Sequence, residues 1–382
     1  MGDAGRIWPS ETSVRRDAES GATVRQLTDH MGHSNHAYFT NPCWYDAGRR
    51  ILIASDRGNR TNFFGVDLED GGIRQLTDLD PAHGPVGAQS ISVNPVRREA
   101  YFQQGDTLWA LDLESLSLRP LHRTQSGYTA GNANPTADGK YVITGRCQDL
   151  SERFPVDLGH GYVGFREIWE ARPHCVLLRI PLDGGPAEEV FEDRCWLGHL
   201  NPSPTRPHLM TFCHEGPWDL VDHRIWGFDL SSRRAWKIRP TQPGETVGHE
   251  YWMDDGEHIG YHGRTAGGPV YGSVRWDGTD RLEAPFGFHS WHFHSYRLDH
   301  VAGDGDAEHP FLFLFRFRAG RFEGPKALVR HRGSFHTQRL HVHPCFSPDG
   351  TRILYTADPH GYGQVFLVDI PDWDGLPDGR TS

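Results

Sequence analysis

Short apolar runs recur along the whole chain, each led by a turn residue and followed by a polar loop. After the loop comes a second apolar run, often ending in Val/Leu-Asp-Leu, and then a charged segment. Copies begin near Asp46 (ILIAS, then FFGVDL), Asn94 (EAYFQ, LWALDL), Asp138 (YVITG, CVLLRIPL) and Ser203 (HLMTF, IWGFDL). Three more begin near Asp254 (HIGYH, VYGSVRW), Asp299 (HVAGDG, PFLFLFRF) and Asp349 (RILYTA, VFLVDI). Most copies are about 35–55 residues apart, the spacing of propeller blades. No long stretch carries a helical period. The last copy stops after Asp369-Ile-Pro371 without its outer segment, and Ala22-Thr-Val-Arg-Gln-Leu-Thr28 resembles the outer segment Ile73-Arg-Gln-Leu-Thr77. The pattern predicts an all-β, seven-bladed β-propeller whose ring is closed by the N-terminal strand completing the last blade. Residues 1–20 are then an N-terminal extension, 21–373 one propeller domain and 374–382 a C-terminal tail. The competing architecture is a pair of β-sandwiches.

Composition narrows the function. Among 382 residues, 44 Gly and 26 Pro suit many short strands joined by turns. The formal net charge of -11 argues against a nucleic-acid surface and against attraction to anionic membranes. An anionic ligand has to be held by a local basic pocket. The cysteines (43, 147, 175, 195, 213, 345) lack CxxC spacing, so all six are expected to be reduced thiols in a cytoplasmic protein. The segment Met1-Gly-Asp-Ala-Gly-Arg-Ile-Trp8 lacks the basic start and apolar run of a signal peptide. The run Phe311-Leu-Phe-Leu-Phe315 is too short to cross a bilayer.

Histidines supply the candidate chemistry. In Gln338-Arg-Leu-His341-Val-His343, two histidines one residue apart on an extended segment project from the same face and can reach one metal ion. Gln338 has the opposite parity and joins them only if the chain bends before His341. His199, His249 and His343 each lie six residues before a blade turn (Thr205, Asp255, Asp349), and Asn132 holds the same offset from Asp138. His292 approaches Asp299 with one extra residue. In a propeller these inner-strand positions line one channel. Imidazoles suit a transition metal, and an amide oxygen is a hard ligand. Three histidines with Gln338 leave open positions, the layout of a Lewis-acid site.

The longer strings around these residues resemble the oligogalacturonate lyases, a family of cytoplasmic pectin-degrading enzymes with a seven-bladed propeller. The resemblance runs through most of the chain. It is strongest in Phe212-Cys-His-Glu-Gly-Pro-Trp-Asp-Leu-Val-Asp-His-Arg-Ile-Trp226, in Gly244-Glu-Thr-Val-Gly-His-Glu-Tyr-Trp252, and from Gln338 through Thr356-Ala-Asp-Pro-His-Gly361. It implies a metal set of His292, Gln338, His341 and His343, usually holding manganese, and a catalytic base at His249. Phe288-His-Ser-Trp-His-Phe-His-Ser295 also offers His289 and His294; spacing to Ser295 selects His292, with His294 its rival. The segment 146–172 departs from the family pattern, which leaves substrate specificity to this chain's own loop.

The implied reaction is β-elimination on a short 4-linked uronide, a small anionic oligosaccharide such as digalacturonate, giving an unsaturated or keto-uronate product. A divalent cation offsets charge on the substrate carboxylate while a histidine removes the C5 proton. Arg224 suits a substrate carboxylate, or else pairs with Asp219 or Asp222. His199 and His214 join it as substrate-binding candidates, with water or His214 as leaving-group acid. Trp218, Tyr251 and Trp252 are candidate sugar platforms. Neither a nucleic acid nor a membrane is expected as partner, and a homo-oligomer is left open. Rival readings are hydrolysis by paired carboxylates drawn from Glu215, Asp219, Asp222 and Glu250, a lyase for another uronide, and a non-catalytic scaffold of the TolB type, which shares such Ser-Pro-Asp-Gly turns.

Overall fold

The computed structural model describes residues 3–287 and 289–379. Phe288, the first two residues of the expected extension and residues 380–382 of the expected tail lie outside the described residues. The strands form seven antiparallel sheets, the blades of a β-propeller. The repeated turn signal has a physical cause. Asn94 Oδ1 accepts the backbone N–H of Val96 and Arg97, both at 2.9 Å. Asp255 Oδ1 accepts those of Glu257 and His258 at 2.8 and 2.9 Å. The Val/Leu-Asp-Leu ends work likewise: Asp112 Oδ1 accepts the N–H of Glu114 and Ser115, and Asp229 Oδ1 those of Ser231 and Ser232. These side chains satisfy turn backbone that water would otherwise have to serve.

Residue contacts divide the chain into two compact units, 1–81 with 286–382, and 82–285. The first unit holds blades one, six and seven. In blade seven, Thr23–Gln26 pairs antiparallel with Gln364–Asp369, setting Val24 opposite Val368. Val24 and Ala22 are buried in one cluster with Ile353, Tyr355 and Val368. Arg25 adds an ion pair to Asp369 at 2.9 Å. The N-terminal strand therefore completes the last blade. The expected extension is itself built into sheets: Ser13–Arg16 adds a further strand outside Thr23–Gln26, and Ile7–Trp8 pairs with Ile73–Gln75 of blade one. Between them Glu11 holds the buried Arg57 through two bonds of 3.0 and 3.1 Å. The expected tail docks on blade six, where Pro377 and Pro325 carbonyls accept the N–H of Ala327 and Gly379.

The second unit holds blades two to five. Its only α-helix among the described residues, Phe165–Ala171, lies in the insertion between two strands of blade three. The expectation of six reduced thiols fails here. Cys147 and Cys175 stand directly opposite on paired strands and form a disulfide. Directly opposed residues of an antiparallel pair bring their Cβ atoms close enough to bridge, a proximity that a separation of 28 residues does not show. Cys43, Cys195, Cys213 and Cys345 are free. No helix among the described residues is long and apolar enough to cross a membrane.

Candidate functional site

In the first unit, ligand atoms of His292, His341 and His343 lie within 4.8 Å of one another, and all three residues are buried. His292 sits just before the inner strand Phe293–Arg297 of blade six. Because Phe293 pairs with Gly303, the next rung sets His292 beside Asp304. Asp304, fully buried, accepts the His292 backbone N–H at 2.8 Å and contacts its Nδ1 at 2.7 Å. A ring anchored by a carboxylate at Nδ1 ligates through Nε2. His331 Nε2 meets the Asp304 carbonyl at 2.9 Å. Burial, then the charge of neighbouring His292, lowers the pKa of His341 to about 4, so its imidazole is neutral and fit to bind metal. Its Nδ1 is buried without a hydrogen-bond partner. This donor set fits a divalent transition metal: three buried imidazoles, one of them held neutral, a buried nitrogen lacking a partner, and a carboxylate behind one ring.

The local backbone differs from the expected strand. Gln338–Leu340 forms a 3-10 turn, and no strand spans His341 and His343; the next one is Cys345–Phe346. The two imidazoles converge even so, His343 through a left-handed backbone, φ 48. Pro344 explains the end of the segment, since it offers no N–H for a ladder. The turn supplies the bend that Gln338 needs, because residues i and i+3 of a 3-10 turn fall on one side. His294 stands apart from the three-histidine group. It stacks on Phe346 at 5.8 Å, and burial lowers its pKa to about 4.

The repeated register has a common geometry. His199, His249 and His343 share φ values of 49, 49 and 48. In the second unit the strand pairing slips at each such point, between Gly198 and Asn201 and between Gly248 and Tyr251. Left-handed backbone at a non-glycine residue costs on the order of 1–3 kcal/mol and concentrates at functional sites. The bulge turns His249 to His262, Nδ1 to Nε2 at 3.2 Å, with the edge of Trp218 packed on it at 4.9 Å.

Beside this pair lies a charged cluster. Arg224 is buried and donates to both oxygens of Glu215, at 2.6 and 3.2 Å, rather than pairing with Asp219 or Asp222. Glu250, fully buried, lies 3.2 Å from His199 Nδ1. Burial would raise the Glu215 carboxyl, but the charge of Arg224, then that of His199, brings it down to about 2. Gly248 makes room for this packing: a Cβ there would lie 2.4 Å from Arg224 Cδ. The insertion that carries the helix reaches the same place, for a Cβ on Gly216 would lie 2.4 Å from Trp169. His214 has the opposite strand parity to Cys213 and Glu215 and instead neighbours Asp193, Cys195 and Asp222. Of the expected sugar platforms, Tyr251 belongs to the core, bonded to Tyr271, and Trp252 donates to the Asn201 carbonyl.

Asp304 and His262 escape a reading by histidine offsets alone. The signal for Asp304 is an Asp closing the strand that pairs with the His292 segment. His262, in the adjacent strand, has none.

Fold and site define a β-propeller that carries a buried group of three histidines able to hold a metal ion. A family model described as oligogalacturonate lyase matches residues 5–269, and the chain belongs to that family. It is 26% identical to the oligogalacturonide lyase of Pectobacterium atrosepticum, covering 94% of this chain and 95% of that one. The oligogalacturonate lyase of Dickeya dadantii is likewise 26% identical, with the same coverage. Among solved structures, an oligogalacturonate lyase in complex with manganese superposes with a TM-score of 0.87 at 26% identity, covering 97% of this chain and 99% of that one. The Vibrio parahaemolyticus oligogalacturonate lyase, at 24% identity and a TM-score of 0.86, shares the fold, with coverage of 97% and 99%.

Proposed function

We propose that this lyase cleaves short 4-linked oligogalacturonates by β-elimination, with His292, His341, His343 and Gln338 as the metal set and His249 as base. The observation that carries the reading is the convergence of three buried imidazoles, one of them anchored by Asp304. When bound there, a divalent cation, manganese by likeness to the manganese-bound relative, offsets charge developing on the substrate carboxylate. His249 then removes the C5 proton. The base role requires the tautomer in which His249 Nδ1–H donates across the 3.2 Å contact to His262 Nε2, leaving the lone pair on His249 Nε2, and Trp218 packs against the ring.

Arg224 and His199 enter through Glu215 and Glu250. Both guanidinium ends of Arg224 are spent on Glu215, so its role is to position charge beside the substrate rather than to clamp a carboxylate alone. The insertion that packs Trp169 on Gly216 is the proposed source of specificity among uronides. A hydrolytic reading needs a carboxyl held protonated near neutrality, and Glu215 at about 2 is the reverse. The cytoplasm is the proposed compartment on the family resemblance alone, since the Cys147–Cys175 bridge is of the kind that oxidising compartments favour.

Paired substitutions test the division of labour on digalacturonate with Mn²⁺. His249→Ala is expected to lower turnover by about 10²–10⁴-fold with bound metal unchanged. His341→Ala is expected to lose metal and turnover together. Retention of near-wild-type turnover in His249→Ala, or loss of its metal, contradicts the assignment.

A further inference from the structure

We propose that Asp193, Cys195 and His214 bind a second divalent cation, of the zinc class, in a site separate from the metal set and the base of the lyase reaction, which gives His214 this role in place of the substrate-binding one expected for it. Asp193 ends the outer strand of blade three, Glu188–Asp193. Cys195 lies in the connection to Leu197–Pro202, and His214 ends Leu209–His214 of blade four. Their ligand atoms lie within 4.8 Å of one another. A thiolate, an imidazole and a carboxylate form a borderline-soft donor set, which selects Zn²⁺ over manganese or magnesium.

The independent observation is the state of His214. It is 8% exposed, and its Nε2 is buried without a hydrogen-bond partner. That nitrogen faces the site, 3.6 Å from Asp193 Oδ2. The other nitrogen, Nδ1, lies 3.6 Å from Asp222 Oδ1, and the ring packs on Trp226 at 4.7 Å. One carboxylate behind the ring and one beside its open nitrogen is the arrangement that orients a metal-binding histidine. Burial lowers the pKa of His214 despite Asp193 and Asp222, keeping the ring neutral. Asp193 uses Oδ1 for the Arg194 N–H at 2.6 Å, so Oδ2 is the oxygen turned to His214.

The cation now facing the sulfur is Arg172, whose Nη1 lies 3.8 Å from Cys195 Sγ. An arriving metal ion displaces this contact and deprotonates the thiol, which burial otherwise holds raised. The Asp193 side chain is 38% exposed and that of Asp222 69%, so the site opens to solvent on the carboxylate side. Three protein ligands leave a fourth position for water. The ion would clip the connection between blades three and four to the end of a core strand.

The test uses the full-length protein loaded with manganese. One equivalent of Co²⁺ is added and the thiolate-to-cobalt charge-transfer absorption is read. The three-histidine group contains no sulfur and cannot produce that band. Wild type and Cys213→Ser are expected to show it, and Cys195→Ser to lack it; Cys213 is the control because it lies as close to His199 and Glu250. No band in wild type, or a band that survives in Cys195→Ser, overturns the proposal. A second reading needs no substitution: saturating Zn²⁺ is expected to slow alkylation of Cys195 by about tenfold or more, by mass action on the bound form. An unchanged rate overturns it equally.

Discussion

Among the first unit's residues, the decisive one is the aspartate that never touches substrate in the proposed scheme. Asp304 holds His292 at two atoms and, through its carbonyl, engages His331. Removing a carboxylate behind a ligating histidine typically costs about 10–100-fold in metal affinity. Asp304→Ala should therefore weaken manganese binding by that factor while Asp304→Asn, which keeps an acceptor oxygen, loses less. A calorimetric titration reads both, and equal affinity in Asp304→Ala and wild type would show that the pair is only structural. This residue also marks how far the sequence could be read. The offset of six before each turn picked out three histidines that share one backbone conformation. The offset says nothing about a partner on the neighbouring strand, because pairing register is a property of two segments. It also could not show that Arg224 spends its fork on Glu215, since that contact depends on how two carboxylates and a guanidinium share a buried space.

For the strands, the same division holds. Apolar runs and turn residues gave every blade its place because each turn is local: Asp349, for instance, accepts from Ser347, from the N–H of Thr351 and from its hydroxyl within five residues. The completing strand 22–28 was legible because it copies an outer segment whose own blade is intact. The strands before it were not, being short, exposed and without an apolar period; Ser13–Arg16 is exposed at all four positions. Nor was the Cys147–Cys175 bridge, which depends on which residues of two strands end up opposite. The geometry ranks two truncations. Deleting residues 1–15 removes Glu11 and leaves the buried Arg57 guanidinium without that partner, a loss on the order of 3–5 kcal/mol. Deleting residues 1–30 also strips Ala22 and Val24 from the core and opens the edge of Gln364–Asp369. The second truncation should fail to fold cooperatively, whereas the first keeps a single, lowered transition. Equal denaturant midpoints for the two would contradict the closure of blade seven.

Over the whole molecule, acid should destabilise the fold well before its carboxylates are protonated. His36 and His331 are buried neutral, each lowered by burial from 6.5 to about 4 and only partly restored by a backbone carbonyl. Their unfolded forms titrate near 6.5, so between pH 6.5 and 4 the unfolded chain binds protons that the folded chain refuses. Stability then rises with pH across that window. It is fully present above the unfolded value, falls as pH drops through 6.5, and stops falling below about 4. The depressed carboxylates act later. Glu215 and Asp349, at about 2, give up their contribution only below their ordinary values of 4.5 and 3.8. By linkage each histidine should cost roughly 1 kcal/mol at pH 5.5 relative to pH 7.5, so the two together lose about 2–3 kcal/mol. Urea midpoints measured with chelator present separate this effect from metal release. The expected result is a midpoint that drops between pH 7.5 and 5.5, with His36→Gln removing about a quarter of the drop, because His294 and His341 are lowered to about 4 as well. A midpoint that stays level over that range would mean the buried imidazoles are protonated in the folded protein, and the neutral-ligand picture of the neighbouring metal centre would lose its electrostatic basis.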